Sequence, residues 1–142
     1  MDMASLIVRV LSSDSTISVP VFGESIPSDT SAPLVLVRSV VRRPSTAPTT
    51  VWWEHTLTVD VQTEQPSESH DIAVAVEAVI ATLAGSHPEG VVASTTVDDT
   101  TFLEDGSWAP TRYRNIVAVS LSVIERLKFT MAITNDTKVF AV

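Results

Sequence analysis

The stretch VWWEHTLTVDVQTEQPSESHDIAVAVEAVIATL, residues 51–83, decides the fold because its hydrophobic period changes in the middle. Apolar and polar residues alternate from Val51 onward, which predicts a long strand with one covered face. After Pro66 the apolar residues follow helical spacing, which predicts an amphipathic helix with Gly85 as its stop. The predicted covered face of the strand holds Val51, Trp53, His55, Leu57, Val59 and Val61. The predicted buried stripe of the helix holds Ile72, Val76, Val79, Ile80 and Leu83.

The flanking sequence supplies a first helix and three further strands. Residues 3–12 have amphipathic helical spacing, whereas residues 34–41, 90–98 and 112–127 are rich in β-branched residues. A Ser/Pro-rich stretch between the first helix and the first main strand predicts a long loop with one short strand, and an acidic loop is expected after residue 98. The order helix, strand, strand, helix, strand, strand predicts an α+β fold. Its expected form is a four-stranded, mainly antiparallel sheet with both helices on one face.

The chain length of 142 residues fits one domain, which we expect to span residues 1–127. Residues 128–142 are expected to form a C-terminal extension or arm. Large apolar groups in this arm are candidates for docking on a partner, because so many rarely stay solvated in a short segment. These candidates are Phe129, Ile133, Val139 and Phe140.

Composition restricts the classes of function. The chain has no cysteine, which removes disulfides, thiolate nucleophiles and cysteine-based zinc sites. The net charge of −8 argues against tight binding of nucleic acid, since the only dense basic patch is Arg38, Arg42 and Arg43. An acidic surface is compatible with DNA sliding past it. No basic region precedes a long apolar run near residue 1, so synthesis and assembly in the cytoplasm are expected.

The sequence offers no arrangement typical of a catalytic, cofactor or metal site. His55, His70 and His87 lack the spacing of metal ligands on one helix. A nucleophile elbow of the G-x-S-x-G type and a phosphate-binding glycine loop are also missing from the sequence. The carboxylates between residues 98 and 105 do not follow the spacing of a calcium loop. The prediction is a protein without enzymatic activity, cofactor or metal.

The predicted central helix has few charges on its outer face. Glu77 is its only charged residue after Asp71, whereas the outer face of a helix on a monomer is normally charged. Two interpretations stay open: alanine is a good helix former, or a neighbouring subunit covers this face. Trp52 favours the second because exposed tryptophan is enriched at interfaces, although its ring can also lie over a neighbouring strand. The candidate subunit-interface residues are Trp52, Val74, Glu77, Ala78, Ala81, Trp108 and Arg112.

Three segments carry a resemblance to a known family. They are WWEHTLTVDVQTE, SESHDIAVAVEAVIATLAG and GVVASTTVDDTTFLEDGSWAPTRYRNIVAVSLSV, the last containing the W-x-P-x-R-Y segment of residues 108–113. The P-L-V-L-V strand after a proline-rich loop is a further point of likeness. Together they resemble the tail terminator, or tail completion, proteins of long-tailed bacteriophages. The resemblance covers most of residues 1–127 and rests on architectural motifs.

The resemblance implies a structural virion protein at the head–tail junction. It implies a homohexameric ring that caps the tail tube, terminates its polymerisation and joins tail to head. The implied partners are further copies of the chain, the tail tube protein and a head connector or neck protein, with DNA passing through the channel. One alternative is another neck or head-completion ring protein. Another is a small oligomeric enzyme or ligand-binding protein, which predicts a pocket that gathers His55, Arg112 and acidic residues.

Overall fold

The structure, a computed structural model, describes residues 3–44 and 52–125. The arm candidates Phe129, Ile133, Val139 and Phe140 lie outside the described residues. Two helices and six strands follow one another along the chain. Their bounds are α1 Met3–Ser13, β1 Val21–Gly23, β2 Leu34–Pro44, β3 Trp53–Thr63, α2 Pro66–Ile80, β4 Gly85–His87, β5 Gly90–Asp105 and β6 Arg112–Glu125.

The strands form one six-stranded mixed sheet in the order β1-β2-β3-β6-β5-β4. β1 runs parallel to β2, and the other neighbouring pairs are antiparallel. The predicted four-stranded sheet with the order α-β-β-α-β-β was therefore wrong. The sequence pattern missed β4, and the short strand that it predicted within the long loop was not counted in the sheet, where it forms β1. Strands of three residues are too short to show a hydrophobic period, and only their backbone pairing defines them.

The prediction and the structure differ over the longest stretch in β5. This strand continues through the acidic stretch that was expected to be a loop. Its last residues pair with the start of β6, with Asp105 opposite Arg112 and Thr101 opposite Ile116. The side chains of residues 98–102 are exposed on both faces, so no apolar alternation marks the strand. Backbone hydrogen bonds to β6 hold this part in the sheet instead.

Both helices contribute to one hydrophobic core on a single face of the sheet. The predicted covered face is confirmed for His55, Leu57, Val59 and Val61, which are all buried. Trp53 is half-buried, Val51 lies outside the described residues, and Asp60 and Gln62 of the opposite face are buried as well. α1 adds Leu6, Ile7 and Leu11, and three of the five residues predicted for the stripe, Val76, Val79 and Ile80, lie in the core on α2. Leu83, which follows α2, lies in the same core. Ile72, the fifth, is partly buried against the same core. Burial of this apolar area is the main force that holds the two helices on the sheet.

α2 ends earlier than its sequence pattern predicted. The last helical residue is Ile80, and a hydrogen bond from the Leu83 amide to the Ile80 carbonyl continues the chain as a turn. Gly85 has a φ of +135°, which favours glycine, but it begins β4 rather than ending the helix. Leu83 is nevertheless buried, so the apolar stripe extends past the end of the helix.

A surface ion pair joins α1 to the turn before β5. The Arg9 Nη2 lies 2.8 Å from Glu89 Oε1, and the Arg9 Nε donates to Glu89 Oε2 at 3.1 Å. The hydrogen bond from Arg9 lowers the pKa of the Glu89 carboxyl below its ordinary value near 4.5. A lowered folded-state pKa means that stability is gained above pH 4.5 and lost as the pH falls through the folded value.

We expect Glu89→Gln to lower the Tm at pH 7 by only about 1–2 °C, because exposed ion pairs contribute little. The same substitution should flatten the loss of Tm between about pH 5 and pH 3. Thermal melts of both proteins across this range check the prediction. A variant that loses Tm on acidification as steeply as the parent would contradict the role of Glu89.

Candidate functional site

The outer face of α2 presents small and apolar side chains to solvent. Val74 is 50% exposed, and Ala78 and Ala81 are exposed as well. Glu77 does not break this surface, because its Oε1 accepts a hydrogen bond of 3.3 Å from the Thr100 hydroxyl on β5. We call Val74, Ala78 and Ala81 the α2 outer patch. In the single chain these residues make an uncharged surface next to the sheet.

Trp52 lies directly before β3, at the end of the sheet where β2 and β6 also finish. Its side chain is half-buried, and its buried indole Nε1 finds no hydrogen-bond partner among the described residues. Buried Trp N–H groups usually have a partner, so this donor is costly as it stands. Trp52 stays a predicted interface residue.

The sheet face opposite the helices carries a polar cluster, which we call the open-face network. Arg114 on β6 pairs with Asp60 on β3 through two nitrogens, with Nε 3.2 Å from Oδ1 and Nη2 bonded to Oδ2. The Gln62 Nε2 donates to the same Asp60 carboxylate at 3.1 Å. Arg112 extends the open-face network, because its Nη1 donates a hydrogen bond of 2.8 Å to Gln62 Oε1. Two strands are thus tied by charged hydrogen bonds above their backbone ladder.

Hydrogen bonds within this cluster shift the pKa values of Arg114 and Asp105. The hydrogen bond from Arg114 to Asp60 is the largest cause that raises the pKa of the Arg114 guanidinium. Ser107 lowers the pKa of the Asp105 carboxyl by donating hydrogen bonds from its hydroxyl and its amide, and Arg114 adds to this effect. Both groups therefore keep their charges over the physiological pH range.

Arg112 also fixes the long loop before β2. Its Nη2 donates to the Thr30 carbonyl at 2.9 Å, and its guanidinium lies 3.5 Å from the centre of the Trp108 ring. Arg112 is only 4% exposed, whereas Trp108 is 45% exposed. Of these two predicted interface residues, Trp108 is thus the one accessible in the single chain. The long loop predicted between α1 and β2 is thus held against the open face.

The W-x-P-x-R-Y segment has a physical role at the turn between β5 and β6. It places Trp108 four residues before Arg112, so the ring covers the guanidinium from the solvent side. Tyr113 stacks on Phe102 across the strand pair, with ring centres 6.4 Å apart. Both contacts stabilise the turn.

The pocket required by the enzyme alternative does not form from its named residues. His55 lies on the core face of β3 opposite Leu121, whereas Arg112 lies nine residues away along β6 on the open face. This separation is about 30 Å at the rise of a strand. In residues 3–44 and 52–125, moreover, no three His, Asp or Glu side chains come together as ligands for a metal ion.

Sequence reasoning missed the open-face network. Asp60 and Gln62 fell on the polar face of the predicted strand, and Arg112 and Arg114 fell at the start of another. Opposite charges on two strand faces are a signal for such pairing, but only if the strands are neighbours. The pattern does not give the register that sets Asp60 opposite Ile116 and Gln62 opposite Arg114.

Comparisons with known proteins agree with this fold and with the resemblance. The family model described as "Tail completion protein gp17" matches residues 5–119. A search of curated proteins gave no match. A chain in the solved structure titled "Virion of native gene transfer agent (GTA) particle" is 15% identical, with a TM-score of 0.59. The match covers 83% of this chain and 92% of that chain, and at this identity it shows a shared fold alone.

The family match covers most of the chain, including both helices and the long strands. In the described part of the chain, neither helix is long and apolar enough to span a membrane. The chain therefore belongs to the tail completion protein gp17 family and is a structural protein of the virion tail.

Proposed function

We propose that this protein assembles into a ring that caps the tail tube. In this role the ring stops polymerisation of the tube and gives the head a surface to join, while DNA passes through its centre. The membership in the tail completion family is the observation that carries the proposal. Six copies per ring is the stoichiometry that the family resemblance implies.

The α2 outer patch supports assembly. Its residues expose apolar surface on a helix where the Glu77 carboxylate accepts a hydrogen bond from Thr100 on β5. The exposed Asp71 precedes Val74 by one turn. A second subunit that covered Val74, Ala78 and Ala81 would bury this surface without stranding a charge. The net charge of −8 supports the passage of DNA, because a channel with few cations does not retain phosphates.

We expect electron micrographs of the purified protein to show rings, and these rings to bind the ends of isolated tail tubes. Tubes assembled in the presence of the protein should stop at a defined length. A strict monomer at high concentration that fails to bind tubes would contradict the proposal. Binding to tailless heads without binding to tubes would favour another neck protein instead.

We expect Val74→Glu to weaken ring formation at least about tenfold, because a buried unpaired carboxylate opposes association. The Tm of the dissociated chain should change by less than about 3 °C, since Val74 is exposed. Sedimentation and thermal melts measure the two effects separately. Ser12→Glu on the exposed side of α1 is the matched control and should assemble normally. If Val74→Glu unfolds the chain, the patch belongs to the core and not to an interface.

A further inference from the structure

The sheet ends in two long unpaired edges. β1 covers β2 only from Val35 to Val37, and β4 covers β5 only as far as Val92. Among the described residues, no strand pairs with the outer side of residues 38–44 of β2 or 93–105 of β5. The Glu24 side chain occupies one backbone group of the β2 segment, since its Oε1 accepts a hydrogen bond of 3.2 Å from the Ser39 amide. Unpaired backbone N–H and C=O groups on the rest of such edges are templates for pairing with another strand. We call these segments the β2 edge and the β5 edge.

The two edges carry opposite charges. The β2 edge contains Arg38, Arg42 and Arg43, and the β5 edge contains Asp98, Asp99, Glu104 and Asp105. Arg42 lies over the Trp53 ring, and Asp105 is paired with Arg114. Arg38, Arg43 and Glu104 form no ion pair within the described residues. Charge complementarity between edges of two copies would give both attraction and register.

The β2 edge also exposes two apolar side chains, which favours it as a surface for contact with another chain. Val40 is 56% exposed and Val41 is 45% exposed at the register shift of this strand. Two adjacent β-branched residues open to solvent on an edge strand favour aggregation unless something covers them. Pairing with a second chain would cover them and would satisfy the edge backbone in one step.

The strand directions fit such a pairing. β2, β3, β6 and β5 alternate in direction, so β2 and β5 of one chain run antiparallel to each other. When two copies stand side by side in the same orientation, the β5 edge of one meets the β2 edge of the next as an antiparallel neighbour. The contact joins two different surfaces, and repeated contacts of this kind close into a ring when the rotation fits.

We infer that the β5 edge of each subunit pairs with the β2 edge of the next copy, so that one continuous sheet runs around the assembly. This inference rests on the ring proposed above and names the surfaces that build it. The occupant of each edge is a second copy of this chain, selected by the arginines on one edge and the carboxylates on the other.

Charge reversal of each edge tests the pairing. The variant Arg38→Glu/Arg43→Glu changes the formal charge of the β2 edge from +3 to −1, so both of its edges are acidic. The variant Asp98→Lys/Asp99→Lys/Glu104→Lys changes the formal charge of the β5 edge from −4 to +2, so both of its edges are basic. Each variant alone should associate at least about tenfold more weakly than the parent chain, because like charges then face each other. A one-to-one mixture should recover assemblies, with the two variants alternating. Sedimentation of tagged and untagged variants measures both effects, and circular dichroism confirms that each one folds.

The control is Glu64→Lys/Glu68→Lys, which makes acid-to-lysine changes at exposed positions away from both edges. It should assemble like the parent chain. Rings formed by each edge variant alone would overturn the inference while leaving the ring function intact. Folded variants that fail to recover assembly when mixed would also overturn it. If the parent chain forms no rings on its own or on tubes, the proposed function itself fails.

Discussion

Replacing Arg112 with alanine should lower the free energy of unfolding by about 3 kcal/mol. The guanidinium is buried and bonds both the Gln62 side chain and the Thr30 carbonyl. Hydrogen bonds to charged groups contribute roughly 1.5–3 kcal/mol, and a desolvated contact with an aromatic ring adds up to about 2 kcal/mol. Alanine also leaves the Gln62 oxygen without its donor and Trp108 without the group that it covers. Urea denaturation at concentrations where the chain is dissociated gives the difference.

A matched control separates the network from charge alone. Arg38→Ala removes an exposed arginine from the neighbouring strand β2 and should cost less than about 0.5 kcal/mol in the dissociated chain. Arg112→Lys keeps the charge but loses the planar fork, so we expect most of the destabilisation to persist. Equal stabilities of Arg112→Ala and Arg38→Ala would show that the network does not hold the loop before β2.

Replacing Leu57 with alanine should lower the free energy of unfolding by about 3 kcal/mol as well. Leu57 is fully buried at the middle of β3, between the pairing partners Ser39 on β2 and Val119 on β6. The substitution removes apolar burial and leaves a cavity under the helices, and such changes cost roughly 2–5 kcal/mol. Chemical denaturation of the dissociated variant measures this loss.

Thr58→Ala is the paired control for Leu57, because the next residue of the strand points to the open face. Thr58 lies opposite Arg38 and Ala118 and is only half-buried, so its replacement should cost less than about 1 kcal/mol. A large loss for Thr58→Ala with a small loss for Leu57→Ala would mean that the core lies on the other face of the sheet.

In the proposed assembly, different regions of the subunit surface have different roles. The β2 edge and the β5 edge lie at opposite sides of the sheet and suit contacts between neighbours in one ring. The α2 outer patch lies on the helix layer, where we propose a second, apolar contact between subunits. The open-face network bonds mostly within the chain, so its main task is to hold β3, β6 and the loop before β2 in place.

Several features of the fold could be predicted from the sequence because they are local. The burial of His55, Leu57, Val59 and Val61 and the apolar stripe of α2 depend on side-chain period alone, and both predictions are confirmed. The resemblance predicted the family correctly, because it rests on several segments that follow one another in a fixed order along the chain. The class of chain, a structural protein of the virion tail, followed from it.

Other features were decided only by tertiary structure. The extension of β5 through an acidic stretch, the pairing of β4 and the parallel pair of β1 and β2 depend on backbone hydrogen bonds, which do not depend on side-chain identity. The environment of Arg112 depends on which strands are neighbours and in which register. The sequence by itself therefore determined the faces of its elements, through periodicity. The tertiary structure decided the sheet order, the two free edges and the open-face network, because these arise from contacts between residues far apart in the chain.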